Sequence, residues 1–300
     1  MKKIFMLTAL IGLAFSTPVL ASEIRVCSGK PGGNYDYTAK VMKQQMGGTA
    51  DVVNINTKGS WENLEKINAG ECDVAIVQSD ALYLWTKEEG NFGYFSVSDL
   101  YTEYAHLLCN RKSNVKEFYD LNQSTKVFSG GKGTGADVTI RGLKSADAEE
   151  GDNRYAKVPL LNEESDDVAL VKVKSRVADC LFYVGSRGNK FLSVNGEKLA
   201  DDLVLVPIVD KDFNDVTMKD VNGNEMSVWS PREMDAKTYN KIMPSGVFGN
   251  KDLNTISVTA GLIASEKWVN ENPEEFGSLG LMINDVTNIV RADRKLELAE

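Results

Sequence analysis

The chain has 300 residues, of which 42% are hydrophobic and 26% are charged, and its formal net charge is −9 at pH 7. This length and composition are those of an ordinary globular protein with room for two lobes, each with its own core. The acidic balance argues against nucleic acid as a partner, because nucleic-acid binding depends on a basic patch.

Residues 1–21 are predicted to be a secretory signal peptide. Lys2 and Lys3 precede an apolar run over residues 4–15, and small residues end at Ala21. A positive start, a short apolar run and a small-residue cleavage site are the three parts of such a peptide. The run is shorter than the roughly 20 residues that span a membrane. We therefore expect cleavage near Ala21 and a mature chain outside the cytoplasmic membrane.

Strands alternate with helices in the first half of the mature chain. The patterns predict strands over residues 22–28, 52–56 and 74–77. Helices are predicted after a glycine loop at 29–35, from Ser60 and after Gln78. Strands that alternate with helices imply βαβ units and a largely parallel sheet.

The same order starts again in the second half. Short strands are predicted at 106–109, 126–129, 180–184 and 255–265. A second glycine loop lies at 130–135, and helices are predicted after it, over 168–177, over 266–272 and over 274–289. Each half therefore has one strand, glycine loop and helix in succession, which predicts two similar α/β lobes.

The two glycine loops are the sharpest candidates for a ligand site. Each loop precedes a helix, where unpaired backbone N–H groups and the helix dipole favour an anion. A simple turn is the alternative, but matching loops in two lobes favour ligand binding. Neither loop is predicted to be a nucleotide motif. In the second loop Gly133 occupies the position where a P-loop has Ser or Thr, and in the first loop Pro31 lacks the N–H donor of a phosphate cradle.

The four cysteines, Cys27, Cys72, Cys109 and Cys180, are widely spaced. The spacing contains no Cys-x-x-Cys, so it does not support a zinc ribbon or a thioredoxin-type site. An exported chain can form disulfides, and four cysteines allow three pairings. Unpaired cysteines buried in apolar strands are the alternative, and the sequence leaves both open.

Signals for catalysis are weak. His106 is the only histidine, and it lies in an apolar strand, so it is predicted to be a core or hinge residue. There is no Gly-x-Ser-x-Gly elbow, and the acidic pair at 166–167 is predicted to face solvent. We predict no catalytic residue, no metal site and no cofactor. Tyr183 ends an apolar strand, where its ring could line a ligand pocket or pack in the core.

Four motifs carry a family resemblance. They are Gly-Gly-Asn-Tyr at 32–35, Gly-Ser-Trp-Glu-Asn-Leu at 59–64, Ala-Ile-Val-Gln-Ser-Asp at 75–80 and Gly-Lys-Gly-Thr-Gly at 131–135. In this order they resemble the TAXI solute-binding proteins, the receptors of one branch of the tripartite ATP-independent periplasmic (TRAP) transporters. The block over residues 59–80 is the most specific part.

The resemblance implies a type II periplasmic binding protein of the α/β class. Such a protein has two lobes of mixed sheet with helices on both faces and a ligand cleft between them. Lobe I would comprise residues 22–104 and 255–300, and lobe II residues 105–254. The implied protein is a monomeric periplasmic receptor that is not an enzyme. It would take a small anionic or zwitterionic solute, a carboxylate or a glutamate-like amino acid, and deliver it to TRAP membrane subunits.

Residues that match the motifs are expected to contact the ligand. These residues are Asn34, Tyr35, Gln78, Ser79, Gly133, Thr134 and Gly135. Tyr183, which lies near the end of a predicted strand, is also expected to contact the ligand. Three alternatives stay open at this point: a receptor of the same fold for an ABC importer or a sensor kinase, an exported enzyme, and a surface interaction protein.

Overall fold

The computed structural model describes residues 22–163, 165–219, 223, 225–247 and 249–298. The predicted signal peptide lies outside these ranges. Within them, no helix is both long enough and apolar enough to cross a membrane.

Strands and helices alternate as the sequence predicts. The strands are β1 (Ser22–Cys27), β2 (Ala50–Ile55), β3 (Val74–Gln78), β4 (Tyr94–Asn110), β5 (Val127–Phe128), β6 (Leu160–Leu161), β7 (Cys180–Gly185), β8 (Leu203–Val206), β9 (Thr217–Lys219), β10 (Glu225–Ser227), β11 (Ser230–Met234), β12 (Ser245–Gly246), β13 (Gly249–Asn250) and β14 (Leu253–Ser265). The α-helices are α1 (Asn34–Met46), α2 (Ser60–Asn68), α3 (Ser79–Glu88), α4 (Gly135–Glu149), α5 (Asp166–Lys174), α6 (Glu266–Glu271) and α7 (Pro273–Arg294).

Two long strands run through both halves of one sheet. β4 pairs antiparallel with β14 from Tyr94 to Tyr104, and beyond that point it pairs with β7 and β8. On one side of this pair lie β3, β1 and β2, and on the other lie β7, β5 and β6. We call the first group, with α1–α3, α6 and α7, lobe I, and the second group, with α4 and α5, lobe II. The fold is therefore two α/β lobes that share β4 and β14.

Helices cover both faces of the sheet in each lobe. Val74 and Ile76 of β3 pack with α1 and α7, whereas Ala75 and Val77 pack with α2 and α3. The side chains of a strand point to opposite faces in turn, so a strand covered on both faces is apolar throughout. The same alternation in β7 places Phe182 against α4 and Leu181 against α5. The predicted fold class is confirmed.

β4 is the main difference from the sequence prediction. It has 17 residues, whereas the sequence predicts a strand only at 106–109. The part before residue 100 has partly exposed polar positions such as Ser96 and Ser98, so it has no continuous apolar run. Its pairing with β14 extends the strand.

The two lobes contact each other where α3 of lobe I packs against α4 of lobe II. Arg141 of α4 pairs with Glu88 of α3 at 2.8 Å, and its guanidinium lies 4.9 Å from the ring centre of Trp61 in α2. Lys87 of α3 pairs with Glu149 of α4 at 2.9 Å. One side of the space between the lobes is therefore closed by direct contacts.

All four cysteines are paired. Cys27 of β1 is bonded to Cys72, which lies just before β3, and Cys109 of β4 is bonded to Cys180 of β7. Cys109 and Cys180 are opposite partners in the β4–β7 ladder, so strand pairing brings them together. Each disulfide therefore lies within one lobe and does not restrict motion between the lobes.

Replacing Cys27 and Cys72 together by alanine should lower the free energy of unfolding by about 2–4 kcal/mol, because the bridge closes a long loop of the unfolded chain. The residues are 45 positions apart in sequence. Urea unfolding followed by circular dichroism measures the difference. Wild-type protein unfolded under reducing conditions is the control. A midpoint equal to that of the oxidised wild type would contradict the prediction.

A buried carboxyl at the contact between the lobes should make stability depend on pH. Asp80 of α3 is fully buried and accepts a hydrogen bond from Trp229 Nε1 at 3.3 Å. Burial raises the pKa of Asp80 to about 7. The pKa of an aspartate in the unfolded chain is about 3.9, so the folded state holds more protons between these values. The contribution of protonated Asp80 to the free energy of unfolding is fully present below about pH 4 and is lost as the pH rises through about 7.

Asp80→Asn should remove this loss, because an amide does not titrate. The variant should match the wild type at pH 4 and be more stable at pH 8, by about 1.4 kcal/mol for each unit of the pKa shift. Urea midpoints measured across this pH range give the comparison. A constant difference between variant and wild type at all pH values would show that Asp80 has the same pKa in the folded and unfolded states.

Candidate ligand-binding site

A cavity of about 210 Å³ lies between the lobes. It lies at the carboxyl ends of β1, β2 and β3 of lobe I and β5 and β6 of lobe II, the edge where open α/β sheets bind ligands. Its lining residues are Lys30, Tyr35, Lys58, Gly59, Ser60 and Gln78 of lobe I, Glu103 of β4, and Gly131, Thr134, Gly135, Ala136, Asp166, Tyr183 and Val184 of lobe II.

Two helices from opposite lobes begin at this cavity. α2 begins at Ser60 and α4 begins at Gly135, and in neither helix does the residue before the first turn form a side-chain cap. The first N–H groups of a helix have no acceptor within it, and the helix dipole adds partial positive charge there. The cavity therefore presents backbone donors from both lobes to an anionic group.

Glycine allows the two loops to approach closely. Gly59 has a φ of +142°, and a Cβ at that position would lie 3.7 Å from the Gly133 carbonyl oxygen of the opposite lobe. At Gly135, a Cβ would lie 2.7 Å from both terminal atoms of the Gln78 side chain. A side chain at Gly135 would therefore displace the Gln78 amide.

Glu103 is a buried carboxyl group in the cavity wall. It is 9% exposed, and its Oε2 accepts hydrogen bonds from Gln78 Nε2 at 3.0 Å and from the Tyr35 hydroxyl at 3.4 Å. Burial raises the pKa of Glu103 above its usual value, and the two hydrogen bonds partly offset this effect.

Gln78 connects Glu103 to the start of α2. Its backbone N–H donates to Ser60 Oγ at 3.1 Å, and its side chain is buried. Its Nε2 donates a hydrogen bond to Glu103, whereas its Oε1 is buried and has no hydrogen-bond partner among the described residues. A buried amide oxygen without a partner is costly, so this atom marks a place where a ligand donor would stabilise the protein.

The more exposed part of the cavity wall carries charges of both signs. Lys30 and Lys58 are exposed lysines from lobe I. Asp166 lies opposite them in α5 of lobe II, where burial raises its pKa and the nearby Lys30 has the opposite effect. The two lysines provide positive charge near the start of α2.

Five of the eight residues predicted from the sequence line the cavity: Tyr35, Gln78, Thr134, Gly135 and Tyr183. The Thr134 hydroxyl donates to the Gly131 carbonyl at 2.8 Å, so this side chain also holds the shape of the second glycine loop.

The other three predicted residues lie outside the cavity lining. The Asn34 carbonyl accepts the Thr38 hydroxyl within α1. Ser79 Oγ donates to the Val228 carbonyl at 2.7 Å and is buried. Gly133 lies against the side chain of Trp61. The motifs therefore contribute residues to the cavity lining, but neighbouring residues in a motif point in different directions.

Several lining residues were missed by sequence reasoning. The sequence predicts only a helix start at Ser60 and a solvent-facing Asp166, and both residues line the cavity. Glu103 lies outside the quoted motifs. No sequence pattern identifies it, because it is a lone glutamate between Tyr101 and His106 whose burial is visible only in the structure. A charged residue in a buried strand needs a partner.

His106 lies in the core next to the cavity wall. It is fully buried, and its Nε2 is 3.0 Å from the Tyr239 hydroxyl. Burial lowers the pKa of His106 to about 4, so the ring is neutral at physiological pH. This agrees with the core position predicted from the sequence.

Three carboxylates form a separate group. Asp147, Asp152 and Asp212 each have a carboxylate oxygen within 4.8 Å of the others. Asp147 lies near the end of α4, about 18 Å along the helix from Gly135 at 1.5 Å per residue. This acidic group is therefore not part of the cavity.

The fold and the cavity define a class of protein. Two α/β lobes that share two long strands, with a cavity at the carboxyl ends of strands from both lobes, form the fold of the periplasmic binding proteins. The chain belongs to the NMT1-like family, whose model matches residues 32–272. The search among curated proteins found no match.

Solved structures show the same fold. The periplasmic aliphatic sulphonate-binding protein SsuA from Escherichia coli is similar with a TM-score of 0.50 and 11% identity, over 91% of this chain and 75% of that one. The GluR0 ligand-binding core from Nostoc punctiforme, in complex with L-glutamate, is similar with a TM-score of 0.50 and 10% identity, over 90% of this chain and 98% of that one. A protein of Bordetella bronchiseptica RB50 has a TM-score of 0.52 and 16% identity, over 88% of this chain and 70% of that one.

Gly135→Ala should weaken binding of a ligand in this cavity by about 10- to 100-fold, because the new methyl group displaces the Gln78 amide. The change should leave thermal stability nearly unaltered, because alanine is favourable in a helix and the displaced atoms end a flexible side chain. Isothermal titration calorimetry measures the affinity for any solute that stabilises the wild type.

Gly280→Ala is the matched control. It adds the same methyl group in α7, where nothing lies within 4 Å of the added atom. This variant should bind as the wild type does. If Gly135→Ala and Gly280→Ala bind the solute with equal affinity, the Gln78 amide does not contribute to ligand binding.

Proposed function

We propose that this protein is a periplasmic receptor that captures a small carboxylate or amino acid between its lobes for a TRAP transporter. The observation that carries the proposal is the meeting of two uncapped helix N-termini, α2 from lobe I and α4 from lobe II, at one cavity. An anion held there is bound by both lobes at once.

The size of the cavity supports a small solute. Its volume of about 210 Å³ is below the 300–1,000 Å³ typical of sites for drug-sized ligands. Lys30 and Lys58 add positive charge for a carboxylate. The E. coli relative is a sulphonate-binding protein and the Nostoc structure holds L-glutamate, so each has a ligand with an acidic group.

Binding is coupled to closure in this proposal. A ligand that contacts both glycine loops has more partners when the lobes are together, so it shifts the population toward the closed form. β4 and β14 act as the hinge, and the lobes divide at residues 104/105 and 254/255. Tyr35, Gln78, Thr134, Gly135 and Tyr183 contact the solute.

The proposed partner follows from the TAXI-like motifs at 32–35, 59–64, 75–80 and 131–135. Membership of the NMT1-like family supports a solute receptor of this kind. In this role the protein catalyses no reaction and acts as a monomer in the periplasm. It presents the loaded, closed form to the membrane subunits.

A thermal-shift screen of the mature protein, after unfolding and refolding to remove any retained ligand, tests the proposed function. Amino acids, dicarboxylates and keto acids are the panel. A ligand at 100 times its dissociation constant should stabilise the folded state by about 2.7 kcal/mol. Gln78→Ala combined with Thr134→Ala should abolish the shift and leave the fold intact. No shift with any solute would overturn the receptor function.

The transporter partner needs a separate measurement. Vesicles that contain the cognate membrane subunits should take up the solute only when this protein is added, and uptake should continue without ATP. A requirement for ATP would assign the receptor to an ABC importer instead.

A further inference from the structure

The buried part of the cavity wall is rich in hydrogen-bond acceptors. Glu103 contributes a carboxyl group that is 9% exposed, and Gln78 contributes a side chain that is 2% exposed. Gln78 Nε2 donates to Glu103 Oε2 at 3.0 Å, which directs the other amide atom, Oε1, away from Glu103. This oxygen has no hydrogen-bond partner among the described residues.

Nearby hydroxyl groups do not supply the missing donor. The Tyr35 hydroxyl lies 3.4 Å from both Glu103 Oε2 and Ser60 Oγ. Ser60 Oγ also accepts the backbone N–H of Gln78. The hydrogen bonds of these groups are with one another, so the Gln78 oxygen still needs a donor from outside the protein.

Glu103 also has no cationic partner. Within the described ranges, no lysine, arginine or histidine forms a salt bridge with it, and the lysines of the cavity, Lys30 and Lys58, are exposed. A buried carboxylate without a counter-charge is strongly unfavourable. A ligand cation beside Glu103 would remove this cost.

We propose that Glu103 and Gln78 form a subsite for a protonated amine, so that the solute is a zwitterion with its carboxylate at the starts of α2 and α4. An ammonium group has three N–H donors and no acceptor. It can donate to the Glu103 carboxylate and to Gln78 Oε1 together. The inference rests on the proposed function and narrows the solute from small carboxylates in general to amino acids.

If Glu103 is protonated instead of ionised, the expected ligand is different. A protonated Glu103 would act as a donor and would accept a second carboxylate, which favours dicarboxylates over amino acids. Glu103→Gln separates the two cases. Glutamine keeps a donor and nearly the same shape, but it has no negative charge.

The test uses pairs of ligands that differ only in the amine: L-glutamate with glutarate, and L-leucine with 4-methylpentanoate. Calorimetric titration measures each against the wild type, Glu103→Gln and Asp99→Asn. Asp99 is the matched control, since it lies on the same strand and is not among the residues that line the cavity. The amino member of at least one pair should bind the wild type about 10- to 100-fold more tightly than its partner.

Glu103→Gln should reduce that preference to less than about threefold by weakening the amino member, whereas Asp99→Asn should keep it. Circular dichroism and the melting temperature check that both variants fold. If Glu103→Gln does not fold, Gln78→Met takes its place, because it removes Oε1 with little change in size, and it should also lower the affinity for the amino member.

Two outcomes overturn the inference and leave the proposed function standing. One is wild-type binding of the desamino members at equal or higher affinity. The other is an amine preference that Glu103→Gln leaves unchanged. A lack of binding by every member of the panel, dicarboxylates and keto acids included, is different, because it overturns the proposed function itself and the amine subsite with it.

Discussion

The antiparallel pairing of β4 with β14 is the constraint on which the rest of the structure depends. β4 runs from Tyr94 to Asn110. Tyr104 is the exchange point, where the pairing partner of β4 changes from β14 to β7 and β8. Because both lobes are built on these two strands, the carboxyl ends of their parallel strands meet over the exchange point. The cavity follows from that meeting, and so does the burial of Glu103, one residue before the exchange.

The cavity is polarised along its wall. Backbone N–H groups at the starts of α2 and α4, with Lys30 and Lys58, form a region of donors and positive charge. Glu103 and Gln78 Oε1 form a region of acceptors that is buried more deeply. Hydrogen bonds and charges are stronger in a region of low dielectric than in water, so a solute that matches both regions gains far more than one that matches a single region. In the proposed receptor, this polarity lets a cavity of about 210 Å³ discriminate among small polar molecules.

The proposed closure and the proposed recognition both involve the two glycine loops. Gly135 lets the lobes approach closely, because a Cβ there would meet the Gln78 side chain, whereas Gly59 is required by its φ of +142°. On one side, Arg141 joins α4 to Glu88 of α3 and to Trp61 of α2. The two disulfides lie within single lobes and stabilise each lobe as a unit. In the proposed closure, rigid lobes and a shared pair of strands favour movement of the lobes about β4 and β14 over deformation of the cavity walls.

The sequence by itself determined the alternation of strands and helices, the two glycine loops and the α/β class, since these follow from local periodicity and from the backbone freedom of glycine. It also singled out Tyr35, Gln78 and Gly135, which line the cavity. Only the folded structure shows which members of each motif face the cavity, how the cysteines pair, how far β4 extends and that Glu103 is buried in the cavity wall. These properties depend on contacts between residues far apart in the chain. A glutamate in a strand has the same local pattern whether it faces solvent or a cavity, and only the packing of two lobes around it distinguishes the two.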